Sequence, residues 1–369
     1  MAKRGLNIYK RKDGRWEGRI CQKQFSDGRC RYRSLYGKSY REVKEKMTAL
    51  LAAKEPAQKK CDMTVPEVVS VWLRDKKGIW KESTYACYRQ LAERHIYKET
   101  KTVRASDFTN VCFHEYVNNI TKSDGSKISP AYSHGISAVL IQAFAYVSRE
   151  YRYQLPDLEN PKLSRTGKNM EMPSEKTMKK LEEYLLSHTK DSTCLGILLT
   201  YYTGIRIGEL CALTWSDIDF EEGILKISKN LQRIKDFGEE TSATHIKVQT
   251  PKTLTSIRCI PIPEEILVIL KRRQKAGNCY LVEGTKKEWA EARTVQYRFA
   301  AILKACGIEY FKFHMLRHYF ASRCIRQSFD MKSLSEILGH ASVQITMNLY
   351  VHSSMCQKRL LMNRLTKAA

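Results

Sequence analysis

The 369-residue chain lacks several features that mark common classes of protein. None of its twelve cysteines forms a Cys-x-x-Cys pair, which argues against a structural zinc site and a disulfide scaffold, and favours reduced thiols. It has no run of about 18 apolar residues, so we expect no membrane-spanning helix. Its first residues, "MAKRGLNIYKRKDGRW", lack the apolar stretch of a secretion signal. We therefore expect a protein of the cytosol with no membrane partner.

Acidic residues are scarce relative to basic ones. The chain has 64 Lys and Arg against 39 Asp and Glu, which gives a formal net charge of +25 at pH 7. An excess of this size predicts a polyanionic partner, with nucleic acid ahead of an acidic membrane. The hydrophobic fraction of 43% is ordinary for globular proteins, so only the charge is unusual. We therefore expect a nucleic acid as the partner.

The first sixty residues hold the highest density of positive charge, with 18 Lys and Arg against 6 Asp and Glu. Alternating residues around Asp-Gly turns predict two or three short antiparallel strands, and "SYREVKEKMTALLAAKE" predicts a helix. We expect a basic sheet-plus-helix domain at residues 1–60. Charge runs are usually a solvated face, but thin β-ribbons can enter a major groove, so we interpret this charge as a DNA-binding surface.

The sequence pattern of residues 64–155 predicts a basic domain of four helices. Thr64 and Glu67 have the spacing of a capping box at the first helix, and Ser129 is the predicted N-cap of the last. Polar segments on either side, "AQKKCDM" and "PDLENPKLSRTGKNMEMP", read as linkers.

The sequence of residues 172–369 predicts a mainly helical α+β domain with one small antiparallel sheet. The strands are predicted at "GILKISK", "THIKVQT" and "SIRCIPI". Helices are predicted at residues 174–188, 191–203, 206–213, 263–275, 294–305, 314–327, 331–338 and 342–350. The predicted fold class is therefore multidomain and mainly α with small β elements.

Polar residues of this last domain stand in otherwise apolar stretches. Arg206 and Glu209 share a helical face among apolar neighbours, which predicts a partly buried ion pair. Lys252 follows Pro251 at a predicted hairpin turn, where a lysine is also an ordinary turn residue.

His314, Arg317 and His318 lie within about one helical turn. The zinc-protease pattern would need Glu at position 315, which is Met, so we expect no metal. His340 follows a glycine in "LGHAS", and Tyr350 lies ten residues later in "NLYVHSS".

These residue types together can break a phosphodiester without a metal ion or ATP. Two guanidinium forks can neutralise a phosphate and the charge that develops on it. Histidine can manage a proton near neutral pH, and lysine can protonate a leaving alkoxide. A tyrosine can attack phosphorus and hold it as a covalent ester, which stores the backbone bond. No cofactor is expected.

The motifs "TGIRIGEL", "TPKT", "HMLRH", "LGHAS" and "LYVH" occur in the order of the tyrosine recombinase (phage integrase) family, which the chain resembles strongly over residues 174–369. The preceding helices resemble that family's core-type DNA-binding domain. The basic sheet-plus-helix resembles the arm-type domain of integrases from phages and conjugative transposons.

The resemblance implies a role for each residue of the constellation. Tyr350 would be the nucleophile of a 3′-phosphotyrosyl intermediate, and Arg206 and Arg317 would clamp the scissile phosphate. Lys252 would be the general acid for the leaving 5′-oxygen.

His314 and His340 would bind the phosphate and manage the attacking proton, while Glu209 would orient its neighbours and His318 would serve the structure. One departure is Val351, where the family commonly has Thr.

The implied function is site-specific recombination of a mobile element by a homo-tetramer on core and arm sites of double-stranded DNA, with a possible DNA-bending or excision accessory protein. The resemblance also implies a location in the bacterial cytoplasm, in association with DNA. A relaxing type IB-like topoisomerase and a DNA-binding protein without catalysis remain alternatives. The tail after Tyr350 carries an apolar stripe at Leu360, Leu361 and Leu365, which either folds back on its own domain or docks on a neighbouring protomer.

Overall fold

The structure is a computed structural model that describes residues 7–11, 13–24, 30–54, 59–122, 124–161, 172–237, 244–249, 256–275, 278–285 and 287–350. Lys252, the Tyr350 side chain and the predicted tail helix lie outside this description. The described residues fall into two compact units, within residues 1–165 and 166–369.

The first unit begins with a three-stranded antiparallel sheet in the order β1-β2-β3. Its strands are β1 (Ile8–Lys10), β2 (Trp16–Gln24) and β3 (Cys30–Gly37), followed by helix α1 (Tyr40–Lys54). Ile20, Val43 and Met47 form a small core between the sheet and α1. The predicted basic sheet with one helix is confirmed.

Helices make up the rest of the first unit. They are α2 (Val65–Lys76), α3 (Glu82–Leu91) continued by a π-helical turn (Ala92–Ile96) into α4 (Tyr97–Glu99), α5 (Asn110–Asn119) and α6 (Pro130–Tyr151), with a 3₁₀ turn at Ala105–Asp107. Two short strands, β4 (Lys59–Lys60) and β5 (Tyr153–Gln154), pair in parallel. The four predicted helical stretches are confirmed.

Both predicted helix starts carry their caps. The Glu67 carboxylate accepts the main-chain N–H of Thr64 at 2.7 Å, and the Ser129 hydroxyl accepts the N–H of Tyr132 at 3.3 Å. These bonds satisfy donors that have no partner inside a helix. The core of these helices is apolar, with Trp72 and Phe144 fully buried.

The second unit holds eight helices among the described residues. They are α7 (Glu175–Ser187), α8 (Ser192–Thr203), α9 (Ile207–Ala212), α10 (Glu264–Arg273), α11 (Ala292–Ala305), α12 (His314–Arg326), α13 (Met331–Leu338) and α14 (Val343–Tyr350). Each corresponds to a predicted helix within two residues at either end. A 3₁₀ turn spans Trp215–Asp217. Across the described helices of the whole chain, none is both long and apolar enough to cross a bilayer.

The strands of this unit form two sheets where one was predicted. Strands β6 (Ile218–Asp219), β7 (Ile224–Ile227) and β10 (Arg258–Pro261) make one sheet, and β8 (Asn230–Lys235) pairs with β9 (Thr244–Gln249) in another. The prediction of a single sheet is wrong because β8 was missed. Its buried Leu231 and Ile234 are three residues apart, which is not the alternation expected of a strand.

The predicted hairpin turn at Lys252 lies outside the described residues. The described strands on either side of it, β9 and β10, lie in different sheets and pair with β8 and β7.

Candidate functional site

A buried helix sets the position of Arg206. Helix α8 is buried along almost its whole length and ends at Gly204, whose φ of +65° favours glycine. A Cβ at Gly204 would lie 2.5 Å from the Phe320 ring, so glycine also permits a close approach there. Arg206 follows two residues later as the N-cap of α9. Its backbone is thus fixed by the core of the unit.

Glu209 joins two arginines. Its carboxylate accepts the Arg206 main-chain N–H and the Arg206 Nη1, both at 2.9 Å. Arg258, on β10, donates to both oxygens of the same carboxylate at 3.0 and 2.8 Å. Burial raises the pKa of Glu209, but the hydrogen bonds and charges of the two arginines outweigh it and hold that pKa below its usual value. The predicted Arg206–Glu209 pair is present, and Arg258 completes it.

The C-terminal end of α13 receives three arginines on three consecutive carbonyls. Arg258 Nε donates to the carbonyl of Ile337 at 2.6 Å, and Arg317 Nη2 to that of Leu338 at 2.6 Å. Arg206 Nη2 donates to the Gly339 carbonyl at 3.2 Å. The last carbonyls of a helix have no partner within it and carry the negative end of its dipole, so they suit cations.

Arg317 is tied at two points of the core. It is 2% exposed, and its Nη1 also donates to the carbonyl of Gly204 at 2.8 Å. It therefore connects the end of α8 to the end of α13. A guanidinium can span two carbonyls in this way because its donors are arranged in a rigid fork.

His340 follows directly after these carbonyls. Its Nδ1 lies 2.8 Å from the hydroxyl of Thr346, which is fully buried in α14. Among the described residues Nε2 has no hydrogen-bond partner, so it is the ring nitrogen that can meet a substrate. Tyr350 is four residues after Thr346, so the two share a face of α14. The backbone of α14 thus places Tyr350 on the face that carries the His340 contact.

The histidines are held neutral. Burial, followed by the charges of His318, Arg317 and Arg206, lowers the pKa of His314 to about 4. Burial and the nearby arginines, with Arg317 first, likewise lower the pKa of His340 to about 4. His318 packs edge-on against His314 with ring centroids 4.7 Å apart. At neutral pH the imidazole rings of His314 and His340 are therefore uncharged.

An open groove of about 1120 Å³ lies beside this cluster. Arg206 and His314 line it together with β8 and the start of α11, including Asn230, Arg293 and Tyr297. The groove gives a long polyanion access to the arginine cluster. The donor set does not suit a metal cation, because both oxygens of Glu209 are already bonded to arginine.

The structure brings Arg206, Glu209, His314, Arg317 and His340 to one place. It positions Tyr350 by backbone only, and it does not describe Lys252.

Sequence reasoning missed Arg258 and Thr346. A signal for Arg258 was present, because it alternates with Ile260 and Ile262 on the buried side of a strand. Thr346 carried no comparable signal.

Residues 174–357 match the family described as the phage integrase family. The chain belongs to this family of tyrosine recombinases. It is 27% identical to a XerC-like tyrosine recombinase of Caldanaerobacter subterraneus subsp. tengcongensis, across 80% of this chain and 81% of that protein. It is 28% identical to the transposase of transposon Tn916 from Enterococcus faecalis, across 50% of each.

Solved structures show the same fold. The Tn1549 transposon integrase in complex with a circular intermediate DNA has a TM-score of 0.68 at 19% identity, covering 82% of this chain and 99% of that one. A lambda integrase tetramer bound to a Holliday junction has a TM-score of 0.57 at 18% identity, covering 95% and 96%. As a member of the tyrosine recombinase family, the chain is an enzyme of site-specific recombination, and the topoisomerase and non-catalytic alternatives are not favoured.

Replacing Arg258 should destabilise the second unit. Arg258→Met leaves the buried Glu209 with Arg206 alone, and removing one partner of a buried pair typically costs about 3–5 kcal/mol. Urea denaturation of the full chain measures this loss. Arg233→Met is the matched control, because Arg233 is 47% exposed in its pair with Glu291 and should cost about 1 kcal/mol or less. If the two variants lose equal free energies of unfolding, the buried Arg258–Glu209 pair stabilises the fold no more than an exposed pair does.

Acid should weaken the fold through His340. Its folded pKa of about 4 lies below the unfolded value of 6.5, so the unfolded chain binds more protons as pH falls from about 6.5 toward 4. Wild-type stability should therefore fall through this window, and His340→Gln should fall less. Urea denaturation at pH 7 and pH 5 tests this. Parallel loss in both proteins would contradict the depressed pKa.

Proposed function

We propose that the recombinase inserts or excises a mobile element, such as a phage or conjugative transposon, through attack of Tyr350 on a DNA phosphate. The observation that carries this proposal is the cluster of three arginines at the end of α13, with His314 and His340 beside it and Tyr350 on the helix that follows. Such a cluster matches the charge of a phosphodiester and of the pentacoordinate phosphorus formed from it.

Arg206 and Arg317 are the proposed phosphate clamp. Arg206 is 37% exposed and lines the groove, while its position is fixed by Glu209 and the Gly339 carbonyl. Arg317 is buried behind it and held by two carbonyls. Because these groups are already oriented, stabilising the developing charge requires little reorganisation during the reaction.

Neutral histidines suit the proton transfers. The Tyr350 hydroxyl would form the bond to phosphorus and give up its proton to a site histidine, while the bond to the 5′-oxygen breaks. Lys252 would protonate that leaving oxygen. A free 5′-hydroxyl from another strand can then attack the phosphotyrosyl ester and release Tyr350, so the backbone bond is conserved and ATP is not needed.

The remaining parts of the chain would supply DNA binding. We propose residues 1–60 as an arm-type domain, residues 64–155 as a core-type domain and residues 172–369 as the catalytic domain. Linking arm and core binding in one chain raises the effective concentration of the second site. The working form would be a homo-tetramer on DNA in the bacterial cytoplasm, with an accessory DNA-bending or excision protein.

Covalent trapping should depend on Tyr350. A nicked suicide duplex carrying the element's end should yield a denaturant-resistant protein–DNA adduct without added metal or ATP. Tyr350→Phe should abolish the adduct and leave DNA binding intact, because only the nucleophilic oxygen is lost. Gel electrophoresis in detergent measures the adduct, and a mobility shift measures binding.

Tyr310→Phe provides the matched control, since Tyr310 is an exposed tyrosine of the same unit that takes no part in the cluster. It should form the adduct at the wild-type rate. An adduct that persists in Tyr350→Phe would refute the proposed nucleophile.

A further inference from the structure

The sheet of the first unit has one face that α1 does not cover. A Cβ on Gly18 would lie 2.3 Å from Met47 Sδ, so Gly18 and the buried Ile20 mark the face that packs against α1. Residues alternate between the faces of a strand, so Glu17 lies on the opposite face. Tyr9 and Tyr36 are its register partners on β1 and β3. We call this side, defined by Tyr9, Glu17, Arg19, Ser34 and Tyr36, the outer face.

Glu17 is an unexpected residue at the centre of this basic surface. It is 1% exposed and accepts hydrogen bonds from Ser34 Oγ at 2.7 Å, Arg19 Nε at 2.9 Å and Arg11 Nη1 at 2.7 Å. Donation from Ser34 and then from Arg19 lowers the pKa of Glu17 to about 2. The carboxylate is therefore ionised at neutral pH.

The two arginines that bind Glu17 stay accessible. Their side chains are 39% exposed for Arg11 and 47% for Arg19. Arg11 stacks over the Tyr36 ring at 5.6 Å and Arg19 over Tyr9 at 5.3 Å. Arg19 uses only Nε for Glu17, and within the described part of the chain its Nη groups make no hydrogen bond. Each guanidinium is thus fixed by a carboxylate and a ring while keeping donors for another partner.

We propose that Glu17 is a positioning residue, which orients Arg11 and Arg19 on the outer face for contact with duplex DNA. This rests on the proposed DNA-binding role of residues 1–60. DNA is the occupant indicated by charge, because the first sixty residues carry three times as many basic as acidic residues.

Removing the negative charge of Glu17 should weaken DNA binding, which is the opposite of the usual effect. A carboxylate on a DNA-binding surface should repel phosphate, so removing its charge would ordinarily strengthen binding. Free arginine side chains, however, lose rotamer freedom when they bind, and a chain that is already ordered loses less. Here the charge of Glu17 is surrounded by two guanidinium groups, so orientation should outweigh repulsion.

The full chain is first used to select, from a random-sequence pool, duplexes that it binds without cleaving. A selected duplex that the Arg11→Gln/Arg19→Gln variant binds more weakly than wild type is one that contacts the outer face. On such a duplex at fixed salt, Glu17→Gln should bind about tenfold more weakly than wild type. Glu45→Gln is the matched control, since Glu45 is exposed on α1 and pairs with Arg41. It makes the same charge change and should bind as tightly as wild type or more tightly.

The double-arginine background separates positioning from a general structural effect. With Arg11→Gln/Arg19→Gln already present, adding Glu17→Gln should leave binding unchanged or strengthen it, because only repulsion remains. A loss in both backgrounds, or wild-type binding by Glu17→Gln alone, overturns the inference. If Glu17→Gln fails to fold, Arg19→Lys takes its place: it keeps the charge, loses the planar fork and should bind more weakly, and wild-type binding overturns the inference.

A different result would show that the proposed DNA-binding role of residues 1–60 is wrong. If Arg11→Gln/Arg19→Gln binds every selected duplex as wild type does, residues 1–60 do not bind DNA through this face.

Discussion

The catalytic unit depends on how one short helix ends. At the C-terminus of α13, the carbonyls of Ile337, Leu338 and Gly339 each accept a hydrogen bond from a different arginine. Those arginines come from β10, α12 and the start of α9, so three separate elements meet at one backbone turn. A helix terminus suits this role because its last carbonyls are unpaired and its dipole is negative there.

This arrangement addresses the cost of collecting like charges. Three guanidinium groups close together repel one another, and burial adds a desolvation penalty. The buried carboxylate of Glu209 and the carbonyls of α13 offset part of that cost, yet positive charge remains in excess. Burial, and after it this excess of positive charge, lowers the pKa of both site histidines. A phosphodiester in the groove would supply the missing negative charge.

The sequence predicted the helices well and the sheet connections poorly. Periodic apolar residues placed all eight helices of the second unit, and the motifs around Arg206, His314, Arg317 and His340 identified side chains that the fold brings together. Helix periodicity is local, so one stretch of sequence is enough to find it. Strand pairing depends on residues that lie outside the strand itself, so a prediction that missed β8 also missed the second sheet, in which β8 pairs with β9. Arg258 was missed for a similar reason, since its partners lie 49 and 79 residues away along the chain.

If the arginine cluster directs Tyr350 to a DNA phosphate, the DNA of the trapped adduct is attached at Tyr350. Mass spectrometry of the adduct, after digestion with nuclease and trypsin, measures where it is attached. The tryptic peptide 333–358 contains Tyr350 as its sole tyrosine. We expect a nucleotide phosphate on Tyr350 in that peptide. A nucleotide attached to any other residue would show that Tyr350 is not the nucleophile.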